Sequence, residues 1–133
     1  MPDAPTSRGE RSRRVLLVDD ERSMCEWLAP ALEASGFVVR WFTSANEALA
    51  VLAQEDFGVA IADLYMPEMS GLEFCHRAAR LRPALPVVTM TGFGTADTAR
   101  AVERAGAFEL VPKPFELETL CAALERALAR PIP

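Results

Sequence analysis

The stretch Val59-Ala-Ile-Ala-Asp-Leu-Tyr-Met-Pro67 decides how the rest of the chain is read. Small and apolar residues run into a single acid, Asp63, and Pro67 follows four places on. A continuous apolar run of this kind reads as a strand buried on both faces. An acid that closes such a strand sits where the backbone leaves the core. Open parallel sheets bind their ligands at that carboxyl edge. Asp63 is therefore a candidate nucleophile for a phosphoryl group, and the other segments read as its support.

Working outward, similar segments recur. Val15–Val18 is an apolar run ending in Asp19-Asp20-Glu21. Phe37–Phe42 is rich in β-formers, Pro86–Met90 runs into Thr91-Gly92, and Phe108–Val111 runs into Pro112-Lys113-Pro114-Phe115. Helical patterns lie between and after these strands. Met24, Trp27, Leu28, Ala31 and Leu32 form the first stripe, with Pro30 on the polar side and Gly36 as the stop. Ser44 with Glu47, and Ser70 with Glu73, have capping-box spacing and open the second and third helices. Ala45, Ala48, Leu49 and Leu52 face inward on the second; Leu72, Cys75 and Ala79 do so on the third. The fourth, Thr95–Arg104, has a thin apolar face of Ala99 and Val102. The fifth shows Leu117, Leu120, Cys121, Leu124 and Leu128. Five strands alternating with five helices require parallel strands and a sheet covered on both faces.

Composition bounds the function. A chain of 133 residues, half apolar and a quarter charged, suits one domain with a real core. A net charge of −5 argues against nucleic-acid binding by this segment. Cys25, Cys75 and Cys121 are far apart, form no CxxC, and read as small core residues in a reducing cytoplasm. The single histidine, His76, cannot build a catalytic triad by itself. No apolar run approaches the roughly 18 residues needed to span a membrane. Residues 1–13 read as a disordered tail, 14–129 as the domain, and 130–133 as a tail or the start of a linker.

In a parallel sheet the strand ends share one rim. That rim gathers Asp19, Asp20, Asp63, Thr91 and Lys113. Taken singly, each acid is as well explained as a helix cap, Thr91 as a turn residue and Lys113 as a solvated loop residue. Taken together they make a chemistry. Crowded carboxylates repel each other unless cations offset the charge. Mg²⁺ accepts hard oxygen ligands and keeps several waters. A carboxylate can form an acyl phosphate, with cations neutralising the phosphoryl oxygens and the Thr91 hydroxyl bonding one of them. Lys113 is the only lysine, beside thirteen arginines, so general solubility does not explain its place on this rim.

On these residues the chain resembles the receiver domain of two-component response regulators. The matching pieces are Val-Leu-Leu-Val-Asp-Asp-Glu (15–21), Asp-Leu-Tyr-Met-Pro-Glu-Met-Ser-Gly (63–71), Thr91-Gly92, Gly106-Ala107 and Lys113-Pro114-Phe115. The resemblance spans Val15 to about Leu128. It implies the flavodoxin-like, doubly wound sheet of order 2-1-3-4-5. It also implies Asp63 as phosphoacceptor, with Asp20 binding Mg²⁺ directly, Asp19 through water, and the Tyr65 carbonyl as a further ligand. Thr91 and Lys113 would meet the phosphoryl group, and the Lys113–Pro114 bond would be cis. The donor implied is the phosphohistidine of a sensor histidine kinase. Readout by an output domain or protein would use the face of helix four, strand five and helix five, and a homodimer is a further arrangement the family allows. The wording of residues 91–94 and 106–115 is most similar to receivers of nitrogen-regulation-type transcription activators. Those carry further domains, so the chain reads as a single-domain regulator or as a part of a longer one.

Two places depart from the family pattern. Leu110 stands where an aromatic switch residue is usual, which unsettles its coupling to Thr91; core packing is the plainer role. Tyr65 and Phe93 are bulky where small or polar residues are common, and they should crowd an attacking water and slow self-dephosphorylation. Loop packing is the plainer reading of both. The rival functions are a pseudo-receiver that binds but is never phosphorylated, and an aspartyl-phosphate phosphohydrolase. The second would carry a general acid two residues after its nucleophile, where this chain has Tyr65. A flavin or nucleotide binder would need a phosphate-cradling loop after the first strand, where Asp-Asp-Glu stands.

Overall fold

The computed structural model describes residues 12–92 and 96–131. The apolar runs form five strands: β1 (Arg14–Val18), β2 (Val38–Phe42), β3 (Val59–Asp63), β4 (Val87–Thr91) and β5 (Glu109–Pro112). They make one parallel sheet in the order β2-β1-β3-β4-β5, the order expected. The helices are α1 (Arg22–Ala34), α2 (Ala45–Leu52), α3 (Gly71–Leu81), α4 (Ala96–Arg104) and α5 (Leu117–Ala129).

Successive strand residues point to opposite faces, so each strand feeds two cores. Val15, Leu17, Val59, Ile61, Val88 and Met90 pack with α1 and α5. Leu16, Val18, Ala60, Ala62 and Val87 pack with α2 and α3. All residues of β3 and β4 are buried, which is why these strands read as unbroken apolar runs. Gly36, at φ +99°, lets the chain turn after α1, where the Gly36 and Phe37 amides return to carbonyls of the last turn.

Two helices bury a different stripe from the one expected. In α1 the buried residues are Cys25, Leu28, Ala29 and Leu32, while Trp27 is 53% exposed. Two stripes overlap at Leu28 and Leu32, and the one completed by small side chains lets the helix lie closer to the sheet. In α3 the inward set is Gly71, Phe74, Cys75 and Ala78, and Ala79 is exposed. Phe74 is the largest fully buried side chain, in a layer where β3 offers only Ala60 and Ala62. The α2 stripe is buried as expected.

Arg13, the last residue of the expected tail, is fastened to the domain. Its guanidinium donates to the Gly36 carbonyl and to Glu125 and lies 4.4 Å from the Phe37 ring centre. Residues 1–11, 93–95 and 132–133 lie outside the described part.

The α3 packing gives a direct test. Phe74→Ala is expected to cost about 3–5 kcal/mol, whereas Ala79→Glu should shift stability by less than about 0.5 kcal/mol. Urea unfolding midpoints of the two variants check this; similar losses in both would place the buried face of α3 elsewhere.

Candidate phosphoacceptor and metal site

Strand register builds the site. Val18 pairs with Ala62, so Asp19 and Asp63 step off neighbouring strands at the same level. Thr91 pairs with Pro112, so Lys113 leaves β5 beside the end of β4, and its amide donates to the Thr91 carbonyl at 2.6 Å. From there the side chain reaches across the rim. Lys113 Nζ lies 2.9 Å from Asp63 Oδ1 and 3.2 Å from Asp19 Oδ2. Asp19 is fully buried and its Oδ1 accepts the Glu21 amide at 2.9 Å. Asp20 is exposed. Ligand oxygens of Asp19, Asp20 and Asp63 all lie within 4.8 Å of one another.

The electrostatics follow from that crowding. Burial raises the pKa of the Asp63 carboxyl, and the charges of Asp19 and Asp20 add to the rise; the bond from Lys113 opposes it. Burial alone would lower the pKa of Lys113, but its bonds to Asp63 and Asp19 outweigh burial and hold the ammonium charged. Three carboxylates against one ammonium leave two negative charges in a small volume, a donor set of hard oxygens suited to a divalent cation.

Of the other residues singled out by sequence, Thr91 is fully buried at the end of β4. The Lys113–Pro114 bond is cis. Tyr65 is 54% exposed at the start of the loop that follows Asp63. Leu110 is half-buried and lines a cavity of about 230 Å³ between α4 and β5 with Ala99, Val102 and Phe108. Phe93 lies outside the described residues. Burial pushes the thiol of Cys25 up to about 11 and that of Cys75 up to about 12, so both stay protonated and behave as core residues.

Three features were not foreseen. Gly71 packs so tightly under the loop that a Cβ there would come 2.7 Å from Leu64 Cα and 2.8 Å from the Asp63 carbonyl oxygen. A groove of about 480 Å³ opens beside Lys113, lined by Met24, Trp27, Gly92, Pro114 and Phe115; Trp27 belongs to the expected apolar stripe of α1 but lines this groove instead. The third is Glu68. Its carboxylate takes the Ser44 hydroxyl at 3.0 Å and the Ala45 amide at 2.7 Å, whereas the capping-box spacing pairs Ser44 with Glu47 alone.

Residues 15–125 match the family model of the response regulator receiver domain. The chain belongs to this family. The receiver domain is 37% identical over 113 residues to the C4-dicarboxylate transport transcriptional regulatory protein DctD of Rhizobium meliloti, covering 85% of this chain and 25% of that protein. It is 36% identical over 115 residues to the DNA-binding transcriptional regulator NtrC of Salmonella typhimurium, covering 86% of this chain and 24% of that one. It thus spans about a quarter of these relatives, whose kind agrees with the nitrogen-regulation wording of residues 91–94 and 106–115. Among solved structures it is similar to the beryllofluoride-activated NtrC4 receiver domain dimer, with a TM-score of 0.83, 32% identity, and coverage of 87% of this chain and 96% of that one.

The raised pKa of Asp63 has a measurable sign. Folding favours the protonated carboxyl, so ionising it costs stability as pH rises from the ordinary carboxylate value near ~4 through its own higher value. In metal-free buffer the stability of Asp63→Asn relative to wild type should therefore rise across that window. The gap should be small in acid, grow across that window and then level off. Urea unfolding in EDTA at several pH values measures it; a gap that does not change with pH would mean that Asp63 is not strained by its surroundings.

Proposed function

We propose that Asp63 accepts a phosphoryl group from the phosphohistidine of a sensor histidine kinase, and that the resulting acyl phosphate shifts this receiver domain between two conformations. The observation that carries this reading is the Lys113 ammonium held between Asp19 and Asp63 on one rim of the sheet.

In the transfer, an Asp63 carboxylate oxygen attacks phosphorus in line. The phosphorus–nitrogen bond breaks, and the departing imidazole keeps the electron pair. Lys113 offsets charge on the phosphoryl oxygens, since its ammonium already touches the Asp63 oxygen. Thr91 is placed at the neighbouring strand end, where its hydroxyl can bond a phosphoryl oxygen once that group arrives. The donor set fits Mg²⁺. Asp20 is exposed and suits direct ligation, whereas both oxygens of buried Asp19 already accept bonds, which suits contact through water. The Tyr65 carbonyl would complete the set. Bound Mg²⁺ would supply the positive charge that keeps Asp63 ionised and draws charge from the phosphoryl oxygens.

The domain acts as a signalling switch, with turnover limited to Mg²⁺-dependent self-phosphorylation and slow loss of phosphate. Movement at Thr91 would bias α4 and β5, where Leu110 borders a cavity that gives it room to shift. The face of α4, β5 and α5 would then meet an output domain, an output protein or a second copy of the domain. The kinase and the domain would meet in the cytoplasm. Among the described residues no helix is long and apolar enough to cross a membrane.

Acetyl phosphate or beryllofluoride tests the assignment. Wild type should form a Mg²⁺-dependent adduct, seen by intact mass or fluorine NMR, and Asp63→Asn should form none. An equal adduct in both would remove Asp63 from the role, and no adduct in wild type would point to a pseudo-receiver. Phosphate lifetime tests the aromatic neighbours: replacing Tyr65 and Phe93 together by small polar residues should shorten it several-fold. An unchanged lifetime would leave both rings as packing only.

A further inference from the structure

The loop from Leu64 to Ser70 carries the residues nearest in sequence to Asp63. It is fixed at both ends: the Leu64 amide donates to the Met90 carbonyl at 2.8 Å, and the Gly71 amide donates to the Leu64 carbonyl at 2.7 Å. Its middle is held by a side chain. Glu68 reaches the start of α2, where one of its oxygens accepts the Ala45 amide at 2.7 Å and the more distant Asn46 amide at 3.4 Å. Both its oxygens lie 3.0 Å from the Ser44 hydroxyl, which itself accepts the Glu47 amide. These amides are the ones a helix cannot satisfy internally, and they carry the positive end of its dipole. Glu68 is exposed, and the bonds from Ser44, Asn46 and Ala45 lower the pKa of its carboxyl against a small desolvation, so the link persists at neutral pH.

We propose that Glu68 is a positioning residue for the phosphoacceptor loop: by clamping the middle of the loop to α2 it holds the Tyr65 carbonyl in place for the metal. This rests on the phosphoacceptor reading of Asp63. The physical argument is one of degrees of freedom. Met66 and Met69 pack against the core within this loop, yet packing leaves its backbone freer than directed hydrogen bonds do, and ordering it would be charged against each metal-binding event. Glu68 divides that loop near its centre, so Tyr65 lies in a short span between Leu64 and the clamp. The clamp is a set of directed bonds rather than a nearby charge, and this makes a sharp distinction. An amide at position 68 keeps an oxygen that can accept from Ser44 and Ala45, and it carries no charge. A methyl group keeps neither.

The test uses Mg²⁺ alone, titrated into wild type, Glu68→Ala and Glu68→Gln and followed by amide NMR shifts, with hydrogen exchange on the same samples. Glu68→Ala is expected to bind Mg²⁺ roughly tenfold more weakly, as for a lost supporting group around a metal site. Its Ala45 amide and the amides of residues 65–69 should exchange faster. Glu68→Gln is expected to stay within about threefold of wild type, and rescue of this kind distinguishes a held geometry from attraction by charge. Equal Mg²⁺ binding by wild type and Glu68→Ala would overturn the proposal. So would a Glu68→Gln variant as weak as Glu68→Ala, because the effect would then be charge alone. A wild type that takes up no Mg²⁺ would overturn the phosphoacceptor reading beneath the proposal, and the proposal with it.

Discussion

The ammonium of Lys113, held between the buried carboxylates of Asp19 and Asp63, is the interaction on which this structure turns. It joins β5 at one side of the sheet to β3 and β1, with β4 between. A single missing residue in any of these strands would turn a side chain to the opposite face or move it off the rim. The register therefore sets where these side chains meet as well as how the core packs. The interaction also leaves the rim short of positive charge, so the Asp63 carboxyl is held in surroundings that disfavour its ionised form and that a cation would offset. Stability and binding are in tension at that position, which is a common property of sites that do chemistry.

Most of this was legible because a parallel sheet reduces the problem to strand ends. The apolar runs fix the strands, the length of the connections makes them parallel, and parallel strands place their closing residues together. Asp19, Asp63, Thr91 and Lys113 could be found in this way without knowing one contact between them. The order of the strands was a different matter. Composition and periodicity do not order five similar strands, and the order came from likeness to a family.

The residues that sequence reading misplaced share a cause. Trp27 was assigned to a core that instead took Cys25 and Ala29, and Ala79 was put where Phe74 and Ala78 lie. Helical stripes differ by one position when apolar residues are dense, and closeness of packing then chooses between them. Glu68 was missed for another reason. A capping box is a local rule, and Ser44-x-x-Glu47 satisfied it, yet the carboxylate that reaches the cap comes from a loop more than twenty residues away. A partner brought by the fold has no signature in the neighbouring sequence. Leu110 remains the least legible site residue: its half-buried position beside a small cavity is visible only once α4 and β5 are placed together.

Arg13 bonds Glu125 near the end of α5, and the Arg13 carbonyl accepts the Val38 amide at the start of β2. The first and last described segments therefore lie together, at the amino ends of the strands. Asp63 is at the other pole, separated from them by the length of a five-residue strand, roughly 17 Å. The described part thus begins and ends at the pole away from the acids. The rim that carries the acids is therefore shaped by strand ends and their loops alone, at a distance from both ends of the described part.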